Sequence, residues 1–379
     1  MGVDNEMKKV FVDIYLMFNF GDDLFLDILV KKYPNCYFTV NHLGSNYDQF
    51  ISQYNNVSRR KYTLLNKIGQ SLKLSDNITN YEKIAEEHDA LLFIGGSIFR
   101  EEAYHSSLYR DRMKMVMEFK RRKKLVFILG ANFGPFKTEE FLDDYRNFFK
   151  LCDDVCFRDV YSYQLFEDLP HVRCASDIVF QMNIDEYKLD LSEERIGFSI
   201  IDTRHKQGLA YYYNDYISST IKTIELLVSK GKKCYLMSFC EQEGDLDVIH
   251  TIQSRLSSKA LDNMVIYKYR GNLKEAIEMM ASFKLLIAAR FHANILALLL
   301  GIGIIPIIYS QKTSNILKDI DFNGTLIDMG NLQLQYDEKV IDASIDYKFN
   351  LETAIIKAKK QFEKIDVFLG SESVKSEGI

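Results

Sequence analysis

No two cysteines in this chain are spaced as a CxxC pair. Six are present, at positions 36, 152, 156, 174, 234 and 240. Cys152 and Cys156 are close, but no second cysteine or histidine pair accompanies them to complete a zinc site. Most of the six lie in apolar, strand-like runs, which reads as buried free thiols in a reducing compartment. HExxH, GxSxG and a P-loop with Gly-Lys-Ser/Thr are missing too, so those three routes to hydrolysis are set aside. Positive charge is not in excess: 48 Lys and Arg face 53 Asp and Glu, a net of −5. Without a global basic field to offset phosphates, nucleic acid is not expected as the main partner. The chain also lacks a long hydrophobic run. Its most apolar segment, 295–308, is broken by Gly301, Gly303 and Pro306 and is too short to span a bilayer. No secretory signal is read at the N-terminus, and a cytoplasmic location is expected.

What the chain does have is a repeated unit of apolar strand, glycine turn and helix. The length of 379 residues suggests two domains. In the first half, "KKVFVDIYL" (8–16) reads as a buried strand, "NFGDD" as a turn, and "LFLDILVKKYP" as a helix stopped by proline. "CYFTVNHL" (36–43) is a second strand. Residues 44–80 read as irregular, with a weak helix at 62–73. "DALLFIGGSIF" and "LVFILGANFGPF" are again strand then glycine turn, each followed by a helix, and "DVCFRD" is a short strand. Residues 181–194 lack periodicity and read as a linker. The pattern then restarts with strands at 195–201, 232–239, 263–269 and 284–289, helices between them, and the strand "IGIIPIIY". The expected fold is α/β: two Rossmann-like domains facing a cleft, in the manner of GT-B proteins. The first domain is expected over 1–185 and the second over 190–350. A last helix within 351–379 is expected to pack back on the first domain.

In parallel sheets ligands sit beyond the carboxyl ends of the strands. There, "IAARFHANILALLLG" places Arg290 at the end of a strand and His292 in the first turn of the next helix. Helix-start N–H groups favour an anion, to which Arg290 adds a charge unless it serves the sheet instead. His292 can exchange a proton near neutral pH and is the candidate catalytic acid/base. Lys312, one strand along, and Arg158, after "VCF", are further candidate anion clamps. The alternative for Arg158 is an ion pair with Asp159 or a neighbouring carboxylate. Arg100, Ser97, Asn132 and Asp22, in or beside the glycine turns, complete the candidate substrate-binding set. "KRRKK" (120–124) is a candidate contact for anionic lipid heads, against a simpler role as helix C-terminal charge. The loop "DTRHKQGLAYYY", with His205, is a candidate acceptor loop or a plain solvated one.

Several of these stretches, in this order, resemble the polysaccharide pyruvyl transferase family: "NFGDDLFLDIL", "LLFIGGSIF", "LGANFGPF", "VCFRDVYSYQLF", "ASDIVF" and "AARFHANILALLLGIGIIPIIYSQKTSNIL". The resemblance covers roughly residues 9–320. Departures are Phe291 for a leucine, Ala131–Asn132 in a glycine-rich loop, Ser97 for a glycine and Asp177-Ile178 for Asp-Pro. The resemblance implies transfer of pyruvate from phosphoenolpyruvate to two hydroxyls of a bacterial surface glycan or its lipid-linked precursor, giving a ketal. It implies no metal and no cofactor beyond phosphoenolpyruvate as co-substrate. The partners are then phosphoenolpyruvate and a glycan or lipid-linked oligosaccharide, with peripheral membrane contact at the inner face. The competing class is a GT-B glycosyltransferase using a nucleotide sugar. That reading calls for a nucleotide-contacting glutamate late in the second domain; none stands out there, and Glu241 and Glu243 are loop acids after a strand.

Overall fold

A computed structural model describes residues 7–62, 68, 71–72, 80–204, 206, 208–334 and 338–370. The expected helix at 62–73 and His205 lie largely or wholly outside these residues.

The chain divides into two compact units. One comprises 1–16, 25–178 and the chain from Lys357 onward; the other comprises Met17–Leu24 and Val179–Ile356. The first holds a seven-stranded sheet in the order β3-β2-β1-β4-β5-β6-β7, the second a six-stranded sheet in the order β10-β9-β8-β11-β12-β13. Every described strand pairing is parallel. The strands of the first are β1 Lys9–Asp13, β2 Tyr37–Val40, β3 Val57–Arg59, β4 Ala90–Ile94, β5 Leu125–Ala131, β6 Asp154–Phe157 and β7 Val172–Cys174. Those of the second are β8 Arg195–Ile200, β9 Lys233–Ser238, β10 Met264–Lys268, β11 Leu285–Ala288, β12 Gly303–Ile308 and β13 Ile327–Asp328.

Each sheet therefore reverses direction once, between β1 and β4 and between β8 and β11. Those are the switch points at which doubly wound sheets leave room for a ligand. The central strands are buried on both faces, which is why β4, ALLFI, and β11, LLIA, read as continuous apolar runs rather than alternating ones. Pro306 sits inside β12, opposite Ala288 of β11. On its other side β12 pairs with β13 only at Ile307 and Ile308, so no β13 partner stands beside the residue that lacks an N–H.

The two units have separate cores. In the first, Phe99, Phe133, Phe141, Tyr145, Phe148, Phe149 and Phe166 interlock with ring centroids mostly 5–6 Å apart. In the second the core is aliphatic, dominated by Ile and Leu from β8, β9, β11 and the helices over them.

The carboxyl-terminal segment is three short pieces rather than one helix: Glu352–Lys359, a 3-10 turn Lys360–Phe362, and Glu363–Leu369. Within the first unit the buried Gln361 anchors it. Its Oε1 accepts from Gly130 N at 3.0 Å, and its Nε2 donates to the carbonyls of Phe157, Ala175 and Ser176 at 3.2–3.3 Å. Tyr33 adds a hydrogen bond to Asp366 at 2.7 Å.

Candidate functional site

In the second unit the candidate residues stand at the carboxyl ends of β11 and β12 and at the starts of the helices that follow them. β11 ends at Ala288, and helix Phe291–Leu300 begins two residues later, with Arg290 as its extended N-cap. β12 ends at Ile308, and helix Gln311–Asp319 begins after Ser310. Neither N-cap side chain bonds the helix's own N–H groups, and the two helix starts stand at neighbouring strand ends. Helix Phe291–Leu300 stays put because it is buried from Ala293 to Leu300.

His292 and Lys312 both contact the Phe291 ring. The Lys312 ammonium lies 5.3 Å from the centroid of the Phe291 ring, and the His292 ring lies 4.8 Å from it, nearly edge-on. The phenylalanine where the family's usual residue is leucine thus gives Lys312 an aromatic face. His292 is also pressed against Gly21: a Cβ placed on Gly21 would come within 1.8 Å of His292 Nδ1. Only a residue without a side chain allows that approach. Gly21 belongs to the "NFGDD" stretch, which counts with this unit. Phe20 N donates to the carbonyl of Phe239 at 3.1 Å, and the Phe20 ring packs against Phe239 and Tyr269. The buried Asp23 accepts from the Tyr269 hydroxyl at 2.6 Å. Asp22, beside it, is half-buried in the same helical turn.

Arg290 points elsewhere. Its guanidinium Nε donates to Asp245 Oδ2 at 3.1 Å and its Nη1 to Glu243 Oε2 at 2.7 Å, with a further bond from Nη2 to Asp245 Oδ1. Asp245 also accepts from the N–H groups of Phe239 and Cys240 at 3.2 and 2.9 Å. Glu243 takes Lys206 at 3.0 Å and the Asn19 amide at 3.2 Å. Burial works against the Arg290 charge, but Asp245 and Glu243 outweigh it and hold its pKa well above the usual value. Burial likewise opposes the Glu243 charge, and Arg290 and Lys206 keep its carboxyl well below the usual range. This network ties the loop after β9, the end of β11 and the turn before Gly21 into one frame. Glu241, the other loop acid, pairs with Arg270 at 3.1 Å.

In the first unit Arg158, Asn132 and Ser97 also meet. Arg158 Nη1 donates to Asp177 Oδ2 at 2.8 Å and its Nη2 to Asn132 Oδ1 at 2.6 Å; Ser97 Oγ donates to the same amide oxygen at 3.1 Å. The side chains of Arg158 and Asp177 are fully buried. The sequence suggested Asp159 or a neighbouring carboxylate as the partner. Asp177 is such a carboxylate, and Asp159 caps helix Val160–Gln164 through Ser162. Gly96 lies over the guanidinium, where a Cβ would stand 2.6 Å from Nη2. Arg100 is apart from this group, half-exposed and paired with Glu102 at 2.7 Å.

The sequence did not single out Asp177, Asp245 or Gly21 as site residues. Asp177 and Asp245 lie 19 and 45 positions from the arginines they meet, and only an arginine after an apolar run hinted that a carboxylate must stand somewhere near. In "KRRKK", Lys120 binds Asp153, Arg121 and Arg122 bind Glu82 and Glu118, and Lys124 donates to backbone carbonyls. That run is mostly satisfied within its own unit. Five of the six cysteines are buried and all are free; burial pushes the Cys234 thiol up to about 12.

A family model for polysaccharide pyruvyl transferase matches residues 19–311. The chain belongs to the polysaccharide pyruvyl transferase family. The match opens at Asn19, in the glycine turn against His292, and runs through both glycine-rich strand ends to Gln311. Solved structures resemble the whole chain in fold. HepE of Anabaena, in complex with UDP and glucose, superposes with a TM-score of 0.60 at 14% identity, over 97% of this chain and 100% of that one. MnaA of S. aureus, in a co-structure with UDP, gives 0.60 at 11% identity over 96% and 97%. The UDP-GlcNAc 2-epimerase of Methanocaldococcus jannaschii, with UDP-GlcNAc and UDP, gives 0.57 at 9% over 96% and 99%. At such identities the likeness concerns the fold: two parallel-sheet α/β domains of the GT-B kind. Among the described residues no helix is long and apolar enough to cross a membrane.

Proposed function

We propose that this family member moves pyruvate from phosphoenolpyruvate onto two hydroxyls of a bacterial surface glycan or its lipid-linked precursor, forming a ketal without a further cofactor. One observation carries the reading beyond family membership. His292 and Lys312 both contact the Phe291 ring at helix starts that follow the neighbouring strands β11 and β12. Phosphoenolpyruvate carries a phosphate and a carboxylate, and two helix starts with a lysine suit two anionic groups. His292 then stands where a proton donor is needed. It protonates the methylene carbon as the first sugar hydroxyl bonds to the central carbon. The bond from that carbon to the phosphate oxygen breaks, and phosphate leaves. The second hydroxyl closes the ketal. One hydroxyl proton balances the one added to carbon, and the other leaves with phosphate or solvent. Arg290 serves as a frame for the two helix starts, and Arg158 as a frame for the glycine turns of the first unit.

The test is phosphate release from phosphoenolpyruvate with lipid-linked glycan acceptors, beside thermal unfolding with either donor. Phosphoenolpyruvate is expected to raise Tm by linkage, and a UDP-sugar to do so less. Stabilisation by UDP-glucose that Lys312→Ala abolishes, with no phosphate released from phosphoenolpyruvate, transfers the case to a glycosyltransferase.

A further inference from the structure

The first unit carries a concavity whose lining includes none of the candidate site residues. Its volume is about 680 Å³. It lies on one face of the sheet: Lys9 and Phe11 of β1 line it together with their register partners Tyr37 and Thr39 of β2. Arg60 and Lys61, just past β3, and helix Tyr81–Glu87 close it. Lys9 and Tyr37 open their strands, whereas the network of Ser97, Asn132 and Arg158 stands after the carboxyl ends of β4, β5 and β6.

Charge here is one-sided. Among the described lining residues are five Lys and Arg side chains and one acid, Glu87. Glu87 faces Lys83 at 3.6 Å, and Arg59 is held by Asp48. That leaves Lys9, Arg60 and Lys61. Arg60 is 9% exposed, and its Nε and Nη1 are buried without a hydrogen-bond partner. Two other carboxylates nearby are already engaged: Asp111 accepts from the Tyr81 hydroxyl at 2.6 Å and Asp89 from the Lys9 N–H at 2.8 Å. A buried guanidinium with unmade hydrogen bonds is costly, and a bound anion is what would satisfy it. The cavity is far larger than a phosphate ion and lies in the size range of small-molecule sites, with Phe11, Tyr37 and Ile84 as its apolar wall.

We propose that this cavity binds an organic diphosphate, with its phosphates on Arg60, Lys61 and Lys9 and its organic body against Phe11 and Tyr37. Three uncommitted cations match the charge of a diphosphate better than that of a single carboxylate. A nucleoside diphosphate and a diphosphate-linked sugar share this chemistry.

Isothermal titration of the full-length chain with inorganic phosphate, pyrophosphate and UDP tests it. Pyrophosphate and UDP are expected to bind with one equivalent, and inorganic phosphate at least about tenfold more weakly. Arg60→Met and Lys61→Ala should each weaken both diphosphates about tenfold or more, and Lys312→Ala should leave them unchanged. Arg60→Met removes a buried charge, so its Tm without ligand should equal or exceed that of the parent; Lys61 is exposed, so its variant reports even if Arg60→Met misfolds. UDP binding well above pyrophosphate identifies a nucleotide body; equal affinities identify the diphosphate alone. The proposal is overturned if the parent binds neither diphosphate. It is equally overturned if binding survives both Arg60→Met and Lys61→Ala, or is lost in Lys312→Ala.

Discussion

Gly21 and His292 are 271 positions apart and within one side chain of each other. Gly21→Ala puts a methyl group where the imidazole lies, so the ring must rotate out of its place. Phosphate release is expected to fall at least about tenfold with the Tm within a few degrees of the parent, since a 1 Å misplacement alone can cost far more. His292→Ala should lose two to four powers of ten, about the worth of a positioned acid/base, and remain folded on its Leu-rich helix. A His292→Ala protein with near-parental turnover and lowered Tm would mark a structural histidine. Arg158 behaves differently. A sequence-level reading expects a loop arginine whose removal leaves stability intact. Its burial with Asp177 reverses that expectation: Arg158→Ala strands a buried carboxylate and should cost about 3–5 kcal/mol, read from urea unfolding. A loss under about 1 kcal/mol would mean that Asp177 is solvated in the variant.

At the scale of elements, most of the strands the sequence predicts are the buried ones. β1, β4, β5, β8, β9, β11 and β12 lie inside their sheets, and their apolar runs are visible because both faces are covered. The edge strands β3 and β7, of three residues each, and β13, of two, are too short to carry a pattern. The carboxyl-terminal helix was legible by period, but its break at Lys360–Phe362 was not. That break is where Gln361 turns inward to satisfy one N–H and three carbonyls. Gln361→Leu should therefore cost roughly 2–4 kcal/mol, because several buried backbone groups lose their partner at once. Amide exchange at Gly130 should rise with it. Unchanged protection there would show that water replaces the glutamine.

For the whole molecule, two largely buried groups with depressed pKa values contribute to the response to acid. Burial lowers His88, against its bond to the Ile84 carbonyl, so its contribution is complete above the ordinary value of 6.5 and erodes as pH falls below it. Glu243 is depressed further, by Arg290 and Lys206 against burial. Its contribution is present above the ordinary 4.5 and is lost as pH falls through the folded value. Tm should thus be level near pH 7–8, decline below about 6.5 and decline again below about 4.5. His88→Leu should flatten the first decline and leave the second. A Tm that rises from pH 7.5 to 5.5 would contradict the sign for His88, and one that rises as pH falls below 4.5 the sign for Glu243.

The sequence by itself determined the alternation of buried strand, glycine turn and helix, and with it the two parallel sheets. Apolar runs and glycine positions are local facts, and local facts are enough to specify repeated strand–turn–helix units. It also placed His292 and Lys312 at strand ends, because order along the chain fixes which residues follow a strand. Only the tertiary structure decided where the charges go. Arg290 and Arg158 look alike in sequence to Lys312, each following an apolar run. Two of the three are held by carboxylates, Arg290 by Asp245 and Glu243 on the loop after β9, and Arg158 by Asp177 after β7. An ion pair between distant segments leaves no periodic trace, and a glycine reserved for a histidine 271 residues on leaves none either.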